Sequence, residues 1–192
     1  MRKIFFVVNI IAIFLLCSFS SFAQTTVNDQ IKKTYSFYIV PQLDPVAIHQ
    51  AWLPVLQKIS ELTNINFEIK ILPSIPEFED VIFKGGADFA FMNPYHFIVA
   101  RREQGYIPLL RDSKKLLEGI VIIRKDSPIN SLDQLNDKQI AFPAPNAFAA
   151  YLYIRAMLAK NNIHILPQYV KSHSNVYRSV LLNDYVAGGR SQ

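Results

Sequence analysis

Strands and helices alternate along this chain, and that order leaves few folds open to it. Tyr35-Ser36-Phe37-Tyr38-Ile39-Val40 is aromatic and β-branched and reads as a strand, which Pro41-Gln42-Leu43-Asp44-Pro45 stops. Ile48, Trp52, Val55, Leu56, Ile59 and Leu62 then recur at helical spacing. Pro54 lies inside that pattern, so it either kinks the helix or marks its true first turn. Phe67–Ile71 alternates as a strand, Phe78, Val81 and Ile82 make a short helix ending near Gly85, and Ala87–Met92 is a strand before a helix over Tyr95–Gln104. Such a βαβαβα run implies a largely parallel sheet with right-handed crossovers.

A second series follows an irregular basic stretch. Gly119–Ile123 is a continuous apolar strand, as a sheet covered on both faces requires. Ser131 opens a short helix, Gln139–Phe142 is a strand, and Pro143-Ala144-Pro145-Asn146 leads into a long helix through Ala159. Tyr169-Val170 is a brief strand before a helix opened by Ser172-His173-Ser174. Two α/β lobes, with a boundary near Leu110–Gly119, are the simplest organisation.

Ligands of open α/β sheets bind outside the carboxyl ends of the strands. The strand Ala87–Met92 runs straight into Asn93-Pro94-Tyr95-His96, which sets amide, phenol and imidazole where a small molecule is met. Asn93 and Tyr95 are thus candidate ligand contacts, although Asn-Pro is also an ordinary turn former. Gln42 follows the first strand and either reaches the cleft or lies on a surface turn. The four histidines lack metal-ligand spacing, so neither metal nor cofactor is expected.

The amino terminus addresses the compartment. Arg2 and Lys3 precede an apolar run from Ile4 to Leu16, and Ser21-Phe22-Ala23 offers small residues for cleavage. This is the pattern of a secretory signal peptide over residues 1–23, with a polar leader over 24–33. Cleavage after Ala23 removes Cys17, the single cysteine, and excludes disulfides from the mature chain. It also removes two positive charges from a net +5. The remaining balance is mild and dispersed, which argues against a nucleic-acid partner.

Six segments in order resemble the phosphate/phosphite/phosphonate-type substrate-binding proteins of bacterial ABC importers. They are Pro41–Pro45, Trp52–Leu56, Gly85–Ala90, Arg124–Ile129, Ala141–Pro145 and Ser172–Tyr177. The resemblance implies a two-lobed type II periplasmic binding protein fold with mainly parallel sheets, lobe 1 over 34–118 and lobe 2 over 119–192, closing on its ligand like a hinge. It also implies a longer chain whose second crossing returns to lobe 1. Here the sequence stops at Gly188-Gly189-Arg190-Ser191-Gln192, where the family resembles a glycine-rich turn about to continue, so a truncated product or fragment is expected.

Where such phosphonate binders carry a hydroxyl-rich Ser-Thr-Ser-Gly run, this chain reads Ala147-Phe148-Ala149-Ala150. Losing side-chain donors would weaken or redirect phosphonate binding. The backbone amides at the helix start near Asn146, Ala147 and Phe148 remain, and a helix start binds anions through amides and dipole. Asn146 itself either caps the helix or contacts ligand, with capping favoured by residue type. His173 either faces the cleft or is a buried capping histidine. His96, one residue into its helix, suits a buried capping role, and Trp52 suits the core.

The expectation is a monomeric periplasmic protein that captures a small oxyanion for an inner-membrane ABC permease. The same domain presenting its ligand to a sensor histidine kinase is the alternative. A hydrolase would need a base against a nucleophile, and Ser172-His173-Ser174 is the one visible candidate, with neighbouring side chains that point apart.

Overall fold

The structure is a computed structural model that describes residues 33–114 and 116–191. The signal peptide predicted over 1–23 and the leader up to Lys32 lie outside the described residues. Two sheets carry the fold.

The first sheet has strand order β2-β1-β3 and is parallel throughout, with β1 at Thr34–Ile39, β2 at Asn66–Ile71 and β3 at Phe89–Phe91. Its helices are α1 (Pro45–Thr63), α2 (Ile75–Ile82) and α3 (Pro94–Gln104). Each starts at a side-chain cap with proline at the first or second helical position, where its missing N–H costs nothing. Asp44 accepts from the Ala47 amide at 3.0 Å, Ser74 from Glu77 at 3.3 Å, and Asn93 from His96 at 2.9 Å. Helix α1 therefore begins at Pro45 and runs through Pro54, which is not its first turn. Trp52 is half-buried on α1, with its ring 5.2 Å from that of Phe37 and 4.8 Å from that of Phe91.

After Gly105, in the left-handed conformation that ends α3, no regular element occurs among the described residues until β4 (Gly119–Ile122). The second sheet has order β4-β7-β5-β6, with β5 at Lys138–Phe142, β6 at Ile165–Tyr169 and β7 at Ala187–Ser191. β7 runs parallel to β5 and antiparallel to β4, so this sheet is mixed. The closing Gly-Gly-Arg segment is thus an inner strand, not the turn expected there.

The helix after β5 also departs from expectation. Residues Phe148–Tyr153 wind as a π-helix and continue into α4 (Ile154–Lys160). The Ala147 carbonyl accepts from both Tyr151 N at 2.8 Å and Leu152 N at 3.2 Å, which widens the turn. Its N-cap is Ala147, which has no side-chain acceptor to offer, and Asn146 does not cap it. The last helix, α5 (His173–Leu181), is capped by Ser172, whose hydroxyl accepts from Asn175 N at 3.1 Å.

One buried apolar cluster joins residues beside both sheets, among them Val40, Ile75 and Phe78 with Phe142, Ala147 and Ile154. Among the described residues no helix is long and apolar enough to cross a membrane.

Candidate ligand-binding site

The carboxyl ends of the parallel strands converge on one narrow cleft. Gln42 reaches it just after β1, Asn93 after β3, Ala147 and Phe148 after β5, and His173 after β6. Ala149, Ala150, Ile75, Leu117 and Ser191 complete its walls. The free space is about 10 Å³, room for about one water molecule, so a larger ligand enters only as the walls part. Strand ends supply polar groups here because each chain segment leaves its sheet with unpaired backbone and turns into a helix start.

The helix start is the main donor. Phe148, Ala149 and Ala150 occupy its first turn, where backbone N–H groups have no acceptor within the helix. The wide turn rests directly on the second sheet at two glycines. A Cβ on Gly119 would stand 2.2 Å from the Ala149 carbonyl oxygen, and one on Gly189 would stand 2.2 Å from that of Ala150. Both positions need glycine for close approach.

His173 is 6% exposed and lines the same cleft. Burial pushes its pKa down to about 4, helped by the positive charge of Arg190. The imidazole is therefore neutral at pH 7, able to donate one N–H and accept at the other nitrogen. The Arg190 guanidinium lies over the Tyr177 ring at 4.8 Å, and its buried Nε has no hydrogen-bond partner.

Two expected contacts lie elsewhere. Tyr95 is half-buried on α3 beside His96 and does not line the cleft. The Asn146 carboxamide donates to Glu79 Oε2 at 3.2 Å, and the Asn146 backbone carbonyl accepts from Asn93 Nδ2 at 3.3 Å. His96 is fully buried, and its Nε2 donates to Glu79 Oε1 at 2.9 Å. Glu79, Leu117, Arg190 and Ser191 were not foreseen. Glu79 lies 67 positions from Asn146, so no local spacing could reveal it. Among the described residues no cluster of three or more His, Cys, Asp or Glu could hold a metal.

The family model for the ABC transporter, phosphonate, periplasmic substrate-binding protein matches residues 37–192. The chain belongs to this family of periplasmic substrate-binding proteins. No curated protein matches the sequence. Solved structures share the fold: the binding protein component of an ABC phosphonate transporter from Pseudomonas aeruginosa is 17% identical with TM-score 0.67, covering 84% of this chain and 58% of that one. PhnD1 from Prochlorococcus marinus, solved with methylphosphonate, is 12% identical with TM-score 0.72, covering 82% and 63%. A Xanthomonas citri protein bound to chloride is 20% identical with TM-score 0.63, covering 83% and 65%. The chain thus spans less than two thirds of the length of these neighbours, and its fold is that of the type II periplasmic binding proteins.

Proposed function

We propose that this family member is the periplasmic solute-binding component of an ABC importer and holds a small oxyanion, phosphate-like or phosphonate-like, in the cleft. One observation carries the reading. Phe148–Ala150, whose first-turn amides have no acceptor within the helix, line the same cleft as neutral His173, Gln42 and Asn93. Backbone dipoles and one neutral imidazole favour an anion without needing a fixed counter-charge in contact with it. The solved relative holding methylphosphonate supports that ligand class.

In this reading residues 34–118 and 119–192 act as two lobes that part to admit the ligand, and the closed form docks on an inner-membrane permease. The protein works as a monomer and binds rather than reacts. The Ser172 hydroxyl, one of the two hydroxyls adjacent to His173 in sequence, already accepts from the Asn175 amide as a helix cap.

Thermal unfolding in the presence of phosphate, phosphite, methylphosphonate and sulfonates tests this. A ligand at ~100 times its dissociation constant adds about 2.7 kcal/mol. A shift by one of these oxyanions is expected. A shift produced by neutral solutes while every oxyanion fails would overturn the reading.

A further inference from the structure

We propose that Glu79 is a positioning residue that keeps the anion-binding amides open by holding Asn146 away from them. This rests on the oxyanion reading above and extends it to a residue that does not line the cleft.

The observations run from the sequence upward. A side-chain oxygen at a helix start can bind the first-turn amides that have no acceptor within the helix. Here Asn146 directly precedes the N-cap Ala147, yet the helix has no side-chain cap. The carboxamide points instead to Glu79 Oε2 at 3.2 Å. The Glu79 side chain is 12% exposed, and a carboxylate so far from water needs partners on both oxygens. It has them: His96 Nε2 donates to Oε1 at 2.9 Å while Asn146 takes Oε2.

His96 cannot move to release the carboxylate. It is fully buried, its backbone amide is bound by Asn93 at 2.9 Å, and its ring packs 5.4 Å from that of Phe78. Asn93 adds a second hold, donating from Nδ2 to the Asn146 carbonyl at 3.3 Å. Asn146 is thus gripped at side chain and backbone by α2 and α3. Its carboxamide is thereby kept off the helix start, and the amides of Phe148–Ala150 stay available. Without Glu79 the carboxamide is free to turn onto those amides and compete with an anion for them.

Three variants of the full chain test this: Glu79→Ala, Asn146→Ala and the two combined, with methylphosphonate and inorganic phosphate as probes. Glu79→Ala is expected to weaken binding about tenfold, the equivalent of one competing hydrogen bond. Asn146→Ala alone is expected to bind within about threefold of the parent. The combined variant should recover to that level, because the competitor is gone. Glu79→Gln, which keeps an acceptor for Asn146, should also bind like the parent. A purely structural role for Glu79 predicts that the combined variant stays as weak as Glu79→Ala, and that result overturns the proposal. Parent-like binding by Glu79→Ala overturns it equally.

Hydrogen exchange of the Phe148–Ala150 amides without ligand supplies a readout that does not depend on the anion. Protection should rise about tenfold in Glu79→Ala and return to the parent level when Asn146→Ala is added. If no anion binds the parent, the proposed function fails while exchange still decides the role of Glu79. If Glu79→Ala does not fold, Glu79→Leu with and without Asn146→Ala gives the same comparison at similar side-chain volume. Unchanged exchange across these variants overturns the inference.

Discussion

Gly189 and Ala150 are in close apposition: a Cβ at Gly189 would meet the Ala150 carbonyl oxygen at 2.2 Å and the Phe142 ring at 2.3 Å. The inner strand β7 and the wide first turn of the helix after β5 are thus in direct contact. Neither neighbour can yield cheaply, since one is backbone and the other a fully buried ring. Gly189→Ala is expected to destabilise the protein by about 3 kcal/mol or more, the upper end for overpacked cores. Urea unfolding measures it; a loss below ~1 kcal/mol would show that the turn relaxes.

The protonation of His173 ties stability to pH. Its folded pKa of about 4 lies below the ordinary 6.5, so the unfolded chain takes up the proton first as pH falls. Stability from this group is complete above about pH 6.5 and is lost as pH falls towards 4, by at most about 3 kcal/mol. His173→Gln removes that dependence. Unfolding free energies at pH 7 and pH 4.5 for both proteins should differ in slope, and equal slopes would count against a buried neutral imidazole.

The missing helix cap offers a stabilising change. Ala147 stands at the N-cap with extended backbone and no side-chain acceptor. Ala147→Ser supplies one, and about 0.5–1 kcal/mol of added stability is expected. A melting temperature equal to or below that of the parent would mean that the buried site cannot seat the hydroxyl.

Asp88 links β3 to β1. Its Oδ2 accepts from both the amide and the hydroxyl of Ser36 at 2.8 Å, and Ser36 Oγ accepts from the Asp88 amide at 3.0 Å. These bonds, the backbone one foremost, hold the carboxyl below its ordinary pKa. The pair is exposed, so Asp88→Ala should cost only about 1 kcal/mol. Chemical denaturation checks this; a loss above ~3 kcal/mol would mean that the strand pairing itself depends on Asp88.

Local pattern was enough for most elements. The apolar spacing of α1 and the alternation of β2 follow from residues a few positions apart, and each structure forms where that spacing points. β7 was beyond such reading, because Gly-Gly carries low strand propensity and the reason for glycine is the close approach of helices packed on the sheet. The same divide runs through the site. Strand ends pointed to Gln42 and Asn93, helix starts and the family resemblance to Ala147, Phe148 and His173, and all five line one cleft. Tyr95 obeyed the same rule but lies on another side of its helix start, since adjacent helical residues diverge. Asn146 was read from its residue type, and a carboxylate distant in the chain redirects it.

The inner position of β7 also sets a timetable for biosynthesis. Gly119 pairs with Ser191, and β5 meets β4 only through the strand between them. At about 5–20 residues per second a ribosome needs several seconds to make the stretch that separates them. During that interval β4 has no partner and β5 leaves one flank bare, a sticky surface for other nascent chains. The second sheet therefore closes only once β7 has been made, so its assembly is a late event in the synthesis of the chain.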